Sequence, residues 1–513
     1  MSEIASSIIT FHNKKVGFQY TSELYEKFGV FELEMAQTPM TKDELFIHST
    51  NDVSGSMQDA SEDGRSKMQH LHLTLENIMR LLSSNADDLA VTLEISGFDD
   101  TIVEVLQPTK MTSDVENMQK IINTVKAKLF PRNSTNIGNA LQHASRQLQM
   151  QENAEKQKSL IFMTDGLITA GTSDIELLKS YTPNISQNYF IGFGADHDYV
   201  LLQQLASVNN GSYYYVDKIE NAGLVFGEII HSILYTMLRN VKIQVTNGSI
   251  YDYTTNQWVS EIQIPNLCSE AKKTFHVRSS NPAEFELRLI GTSHEYQPVV
   301  YTECSMPDLV DTTTGEIGEV DCTKYIYRQK VMELLFETAT LAKKEHAPNE
   351  EKNKQKTVLS EFRKQIEAYA TEPNIDEETK TYLKQLTDDL FISEKTLNSQ
   401  KALLYTTVRL QAQGREASYN MTQVEYEEDD QNDTYRIAQN PLTPHTSNTQ
   451  GAIMRSCSDN TRCTPEMDYE NLPPPTQSQN RQTQNRHKIE RSPAFIVEDE
   501  GEEEDVMPFI KRS

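Results

Sequence analysis

Between residues 45 and 238, short apolar runs alternate with stretches of helical period, and that alternation restricts the fold more than any other property of the chain. Leu45-Phe46-Ile47 is a short apolar run, followed by the Gly-containing turn Asp52-Val53-Ser54-Gly55-Ser56. Met68, Leu71, Leu75, Ile78 and Leu82 then recur at spacings of 3 and 4, so they share one helix face. Ala90 to Phe98 reads as a strand, with Thr101 to Leu106 as its hairpin partner. Asp114 caps a helix carrying Val115, Met118, Ile121, Ile122, Val125 and Leu129, which Pro131 stops. A helix from about Ile137 to Met150 precedes the most apolar strand, Ser159 to Met163. Tyr189 to Phe193 and Tyr213 to Val216 are further strands, and a helix is expected from about Ala222 to Leu238. Strands separated by helices predict an α/β fold, a doubly wound and mostly parallel sheet with helices on both faces.

Sheets of this class bind ligands outside the carboxyl ends of their strands. Five oxygen-bearing residues map to that edge: Asp52, Ser54, Ser56, Thr135 and Asp165. Two carboxylates and three hydroxyls suit a hard cation such as Mg²⁺ (or Mn²⁺), which takes oxygen ligands and keeps several waters. A third carboxylate would quench the cation, whereas hydroxyls leave it able to recruit an acidic side chain from a partner. Taken singly, Asp/Ser strings and Asp-Gly are ordinary turn formers. Their ordered recurrence at successive strand ends is the stronger signal.

Residues 43–240 resemble the von Willebrand factor type A family. Its metal-ion-dependent adhesion site is written D-x-S-x-S, then a loop Thr, then Asp-Gly after a central hydrophobic strand. Here Asp52, Ser54 and Ser56 match the first segment, Thr135 in Ser134-Thr135-Asn136 the second, and Asp165-Gly166 the third. The resemblance implies that Ser54, Ser56 and Thr135 ligate the metal directly, while Asp52 and Asp165 act commonly through water. One departure is visible. The family's first strand is usually apolar up to its Asp, whereas His48-Ser49-Thr50-Asn51 intervenes here, predicting an irregular strand end or a less buried sheet.

The flanking segments read differently. Within 1–42, Ser7 to Phe11 and Gly29 to Met35 are strand-like. In 241–323, Val241 to Val245, Trp258 to Ile264, Thr274 to Val277 and Phe285 to Ile290 suggest a small antiparallel β module, which the amino-terminal strands are expected to join and Trp258 to anchor. Residues 324–416 turn helical: Tyr327, Val331, Leu334, Leu335, Thr338 and Leu341 form one stripe, Leu359, Phe362, Ile366 and Tyr369 a second, Leu383, Leu386 and Leu390 a third, and Leu397, Leu404, Val408 and Leu410 a fourth. These short stripes predict a small bundle. Residues 417–513, rich in Gln, Asn, Thr, Ser, Pro and acidic runs, are expected to be a disordered acidic tail. A β segment and helices after a type A domain loosely resemble plant and fungal intracellular type A proteins, including ubiquitin-ligase relatives with an amino-terminal RING finger. The RING cysteines are absent, so ligase activity is not implied.

The formal charge of −27 disfavours nucleic-acid partners, because phosphate contacts need clustered Lys and Arg. No apolar stretch approaches the roughly 20 residues of a membrane span. Met1-Ser2-Glu3-Ile4 does not start a secretory signal, and an intracellular, cytoplasmic setting is expected. Cys268, Cys322, Cys304, Cys457 and Cys463 form no C-x-x-C pair and read as mostly free thiols. No phosphate loop, H-E-x-x-H or G-x-S-x-G motif is present, and His48 is the only base candidate near the acids in sequence. The expected function is therefore non-enzymatic: an intracellular, metal-dependent interaction module that binds an Asp or Glu carboxylate of a protein partner. The alternative is a non-catalytic subunit or adaptor of a ubiquitin-ligase or ATPase-linked complex.

Overall fold

Strands β1 (Ile4–Phe11) and β2 (Phe28–Met35) open the chain as an antiparallel pair. The computed structural model describes residues 3–13, 28–37, 44–60, 64–151, 157–194, 196–209, 211–216, 222–293, 297–304, 320–344 and 346–416. These lie within one compact unit, Met1–Asp459. The expected tail, 417–513, lies outside the described residues.

The chain then builds the central sheet: β3 (Leu45–Asp52), α1 (Lys67–Ser84), β4 (Val91–Phe98), β5 (Ile102–Lys110), α2 (Val115–Lys128), α3 (Ile137–Met150), β6 (Gln157–Thr164), α4 (Ile175–Tyr181), β7 (Gln187–Phe193), α5 (Tyr199–Ala206), β8 (Gly211–Val216) and α6 (Ala222–Leu234). The strand order is β5-β4-β3-β6-β7-β8. All neighbours run parallel except β4 and β5, whose connection is too short for a crossover, so the sheet is mixed at one edge. Each face has its own core. Leu71, Leu75, Met118, Ile122 and Ile229 of α1, α2 and α6 pack on one side. Leu141, Leu178 and Leu202 of α3, α4 and α5 pack with Phe162 and Phe190 on the other.

The polar stretch His48 to Asn51 does not loosen its strand. Every residue of β3 is buried, and it pairs in unbroken register with β4 and β6. The reason lies on β4. His48 Nδ1 is 2.9 Å from Glu94 Oε2, Ser96 Oγ is 3.3 Å from His48 Nε2, and Asn51 Nδ2 donates to Ser49 Oγ at 3.0 Å and to Ser96 O at 3.3 Å. Polar side chains that find partners inside the fold need no water.

Helix α6 also ends earlier than expected. After Tyr235 the chain enters β9 (Thr236–Thr246), so Met237 and Leu238 serve the next core rather than a helix face. That core lies between two sheets made with β10 (Ser249–Asp252), β11 (Gln257–Val259), β12 (Glu261–Gln263), β13 (Leu267–Cys268), β14 (Lys272–Arg278), β15 (Glu286–Ser293) and β16 (Pro298–Cys304). One sheet has the order β1-β2-β14-β10-β11; the other has β12-β9-β15-β16, with β13 also on β9. The amino-terminal strands thus belong to the first of these sheets, where β2 pairs with β14. Trp258 is half-buried on β11, with the Arg278 guanidinium 4.7 Å above its ring and Tyr251 at 5.3 Å.

Among the described residues, four helices follow: α7 (Thr323–Ala342), α8 (Asn349–Ala370), α9 (Glu377–Thr396) and α10 (Ala402–Arg415). Val331, Leu335, Phe362, Ile366, Leu386 and Leu390 form their shared core. Leu397, read into the fourth stripe, instead caps α9. Leu404 and Val408 of α10 pack against the α3–α5 face of the central sheet. Cys268 and Cys322 are free thiols, while the side chains of Cys304, Cys457 and Cys463 lie outside the described set.

Candidate functional site

In the central sheet the chain connections diverge between β3 and β6, which leaves a crevice at the carboxyl ends of those two strands. Asp52 is the last residue of β3, and Asp165 directly follows β6. Both carboxylates are buried there. Asp52 is held on each oxygen: Ser54 N–H donates to Oδ1 at 2.8 Å and Thr164 Oγ1 to Oδ2 at 2.5 Å.

Beyond Asp52 the chain bends into a short 3-10 turn, Gly55–Gln58, which carries Ser56 back toward β6. Ser54 Oγ and Ser56 Oγ are 3.0 Å apart, and Ser56 Oγ donates to Asp165 Oδ1 at 2.8 Å. The Thr135 loop is strapped to the same turn. Arg132 N–H donates to Val53 O at 2.8 Å, and Gly55 N–H donates to Asn133 O at 3.1 Å. On its other side Thr135 N–H donates to Thr169 Oγ1 at 2.7 Å, while Thr169 and Ala170 donate to Thr135 O. A β-carbon placed on Gly166 would lie 3.6 Å from both Ser56 Oγ and Thr135 Oγ1, so these two hydroxyls border the same small space. The structure therefore brings all five sequence-derived residues together. Of the five, Ser56 is the most open to solvent.

The electrostatics suit a cation. Burial, reinforced by the nearby Asp165 charge, pushes the Asp52 carboxyl up to about 6. Two desolvated carboxylates side by side are unfavourable unless positive charge joins them. The donor set of carboxylates and hydroxyls fits a hard divalent ion, and Gly166 keeps the space between the hydroxyls clear. Among the described residues, no cluster of three or more His, Cys, Asp or Glu side chains offers an alternative metal site.

Two participants escaped the sequence reading. Thr164, adjacent to Asp165, anchors Asp52, and Lys67 Nζ donates to Asp165 Oδ2 at 2.7 Å. Lys67 had a legible address, since Ser66-x-x-Gln69 forms a capping box and makes Lys67 the first residue of α1. A search for oxygen ligands passes over a lysine. His48, conversely, is fully buried within the sheet, four residues and about 13 Å of strand from Asp52.

Residues 51–228 match the model of the von Willebrand factor type A domain. Similar solved structures include a von Willebrand factor type A protein from Catenulispora acidiphila (13% identity, TM-score 0.44, covering 66% of this chain and 82% of that one). The ArnB paralog VWA2 from Sulfolobus acidocaldarius is another (14% identity, TM-score 0.45, covering 82% and 100%). No curated protein matches the chain. By the family model and the α/β fold together, the segment 51–228 of this chain is a von Willebrand factor type A domain.

Proposed function

We propose that this domain is a non-catalytic, Mg²⁺- or Mn²⁺-dependent docking site for an Asp or Glu side chain of an intracellular protein partner. The observation that carries this reading is the convergence of two buried carboxylates and three hydroxyls at the crevice between β3 and β6. Ser54, Ser56 and Thr135 would hold the ion directly. Asp52 and Asp165 supply the charge, and their bonds to Ser54, Thr164 and Ser56 fix their orientation. When bound, the cation supplies an electrophilic position for the partner's carboxylate. A local cation also lets an acidic chain, with formal charge −27, accept an acidic partner. A binding role is favoured over hydrolysis because His48, the base candidate near in sequence, is fully buried within the sheet about 13 Å of strand from Asp52.

The test is thermal unfolding of the full chain in EDTA and in millimolar Mg²⁺ or Mn²⁺. Binding to the native state alone stabilises it by RT ln(1 + [L]/Kd), about 2.7 kcal/mol at a hundred times Kd. Asp165→Ala should abolish the shift, and a wild-type midpoint indifferent to both ions would sink the proposal. Partner capture with wild type, Thr135→Ala and an EDTA control then separates this site from other surfaces.

A further inference from the structure

We infer that Lys67 is a tethered cation that occupies Asp165 in place of a divalent ion and sets the ion concentration at which the site becomes available. The inference rests on the metal-dependent reading above and adds its control. Lys67 Nζ lies 2.7 Å from Asp165 Oδ2, with the lysine side chain 14% exposed and the carboxylate fully buried. Since Ser56 holds Oδ1, both oxygens of Asp165 are engaged.

The lysine is delivered by rigid structure. Ser66 Oγ accepts from Gln69 N–H at 3.2 Å, and Gln69 Oε1 accepts from Ser66 N–H at 2.8 Å, which fixes the first turn of α1. Lys67 N–H donates to Asp59 O at 3.0 Å, tying that turn back to the segment carrying Ser54 and Ser56. Across from Asp165, a β-carbon on Gly194 would lie 3.9 Å from both Cε and Nζ of Lys67. The ammonium thus sits in a slot between the ends of β6 and β7.

An ammonium and a divalent ion on one buried carboxylate repel each other strongly in a medium of low dielectric. Occupation of the site therefore requires Lys67 to leave. Its flexible stem already reaches solvent, and the exposed Asp196, itself paired with Lys401, lies within reach of its charge. Metal-free protein is consequently neutralised internally and closed to acidic partners, and ion binding is an exchange of one cation for another.

The experiment is calorimetric titration of the full chain with Mn²⁺, in wild type, Lys67→Met and Lys67→Arg. A charge-assisted bond of ordinary strength, once removed as competitor, should tighten Mn²⁺ binding by about ten- to a hundredfold in Lys67→Met. Lys67→Arg, which keeps the charge, should stay within a few-fold of wild type. In EDTA, Lys67→Met should melt below wild type, and Mn²⁺ should restore it. Equal affinities for wild type and Lys67→Met overturn the inference and leave the metal site standing. Absence of binding by both, with Lys67→Met still folded by circular dichroism, overturns it together with the metal reading.

Discussion

Asp52 is pressed from two directions, by burial and by the charge of Asp165, and its carboxyl rises to about 6. A carboxyl raised in the folded state binds its proton more tightly there than in the unfolded chain. The stability it contributes is complete below the ordinary value near 3.8 and is lost as pH climbs through 6. His197 and His231, both lowered to about 4 by burial, act in the opposite sense, so the isolated term is the difference between wild type and Asp52→Asn. In EDTA, the midpoint of Asp52→Asn relative to wild type should therefore be higher at pH 7 than at pH 4; a pH-independent difference refutes this. Buried polar pairs are costly to break, and Glu94→Ala, which strips His48 Nδ1 of its partner, should lose about 1–3 kcal/mol in urea denaturation. At this scale the convergence of Asp52, Ser54, Ser56, Thr135 and Asp165 was legible because their letters and strand-end positions carry the pattern. The bond from Thr164 to Asp52 spans 112 positions and that from Lys67 to Asp165 spans 98, and no local rule encodes either.

Among the elements, β6 shows how the scaffold and the site separate. Phe162 is fully buried on it, 5.2 Å from Phe98 and 5.8 Å from Phe190 by ring centroids, whereas Thr135 sits in a loop. Phe162→Ala should destabilise the fold by about 3–5 kcal/mol. Thr135→Ala should leave the urea midpoint nearly unchanged and weaken partner capture; the reverse ranking would contradict the proposed division of labour. Helix α1 reported itself through its 3-4 spacing, because a helix with one buried face writes its period directly. The junction of α6 and β9 did not. Met237 and Leu238 are apolar in continuation of the helix, and only pairing with β13 and β15, drawn from residues beyond 260, turns them into strand. The burial of β3 was hidden for the same reason, since the group that satisfies His48 lies on β4, 46 residues away.

Across the whole molecule, the last turn of α10 holds three layers together. Glu416 Oε1 accepts from Arg328 Nη1 of α7 at 2.6 Å, Glu416 Oε2 accepts from Thr274 N–H of β14 at 2.7 Å, and Arg415 Nη1 donates to Tyr213 O of β8 at 2.7 Å. Arg328 is almost fully buried, so Glu416→Ala should cost about 1–3 kcal/mol of stability. A chain ended after Glu416 should melt like the full protein, and one ended at 400 should melt well below it; equal midpoints would show that α10 does not hold the layers. The same long-range economy has a consequence in time. Strand β2 waits for β14, from Met35 to Lys272, an interval of about 240 residues that a ribosome crosses in roughly 10–50 s. Until then Phe31, Leu33 and Met35 lack the partner sheet they are buried against in the finished fold, so the newborn hairpin exposes an apolar face and an open strand edge while the central-sheet domain folds in between.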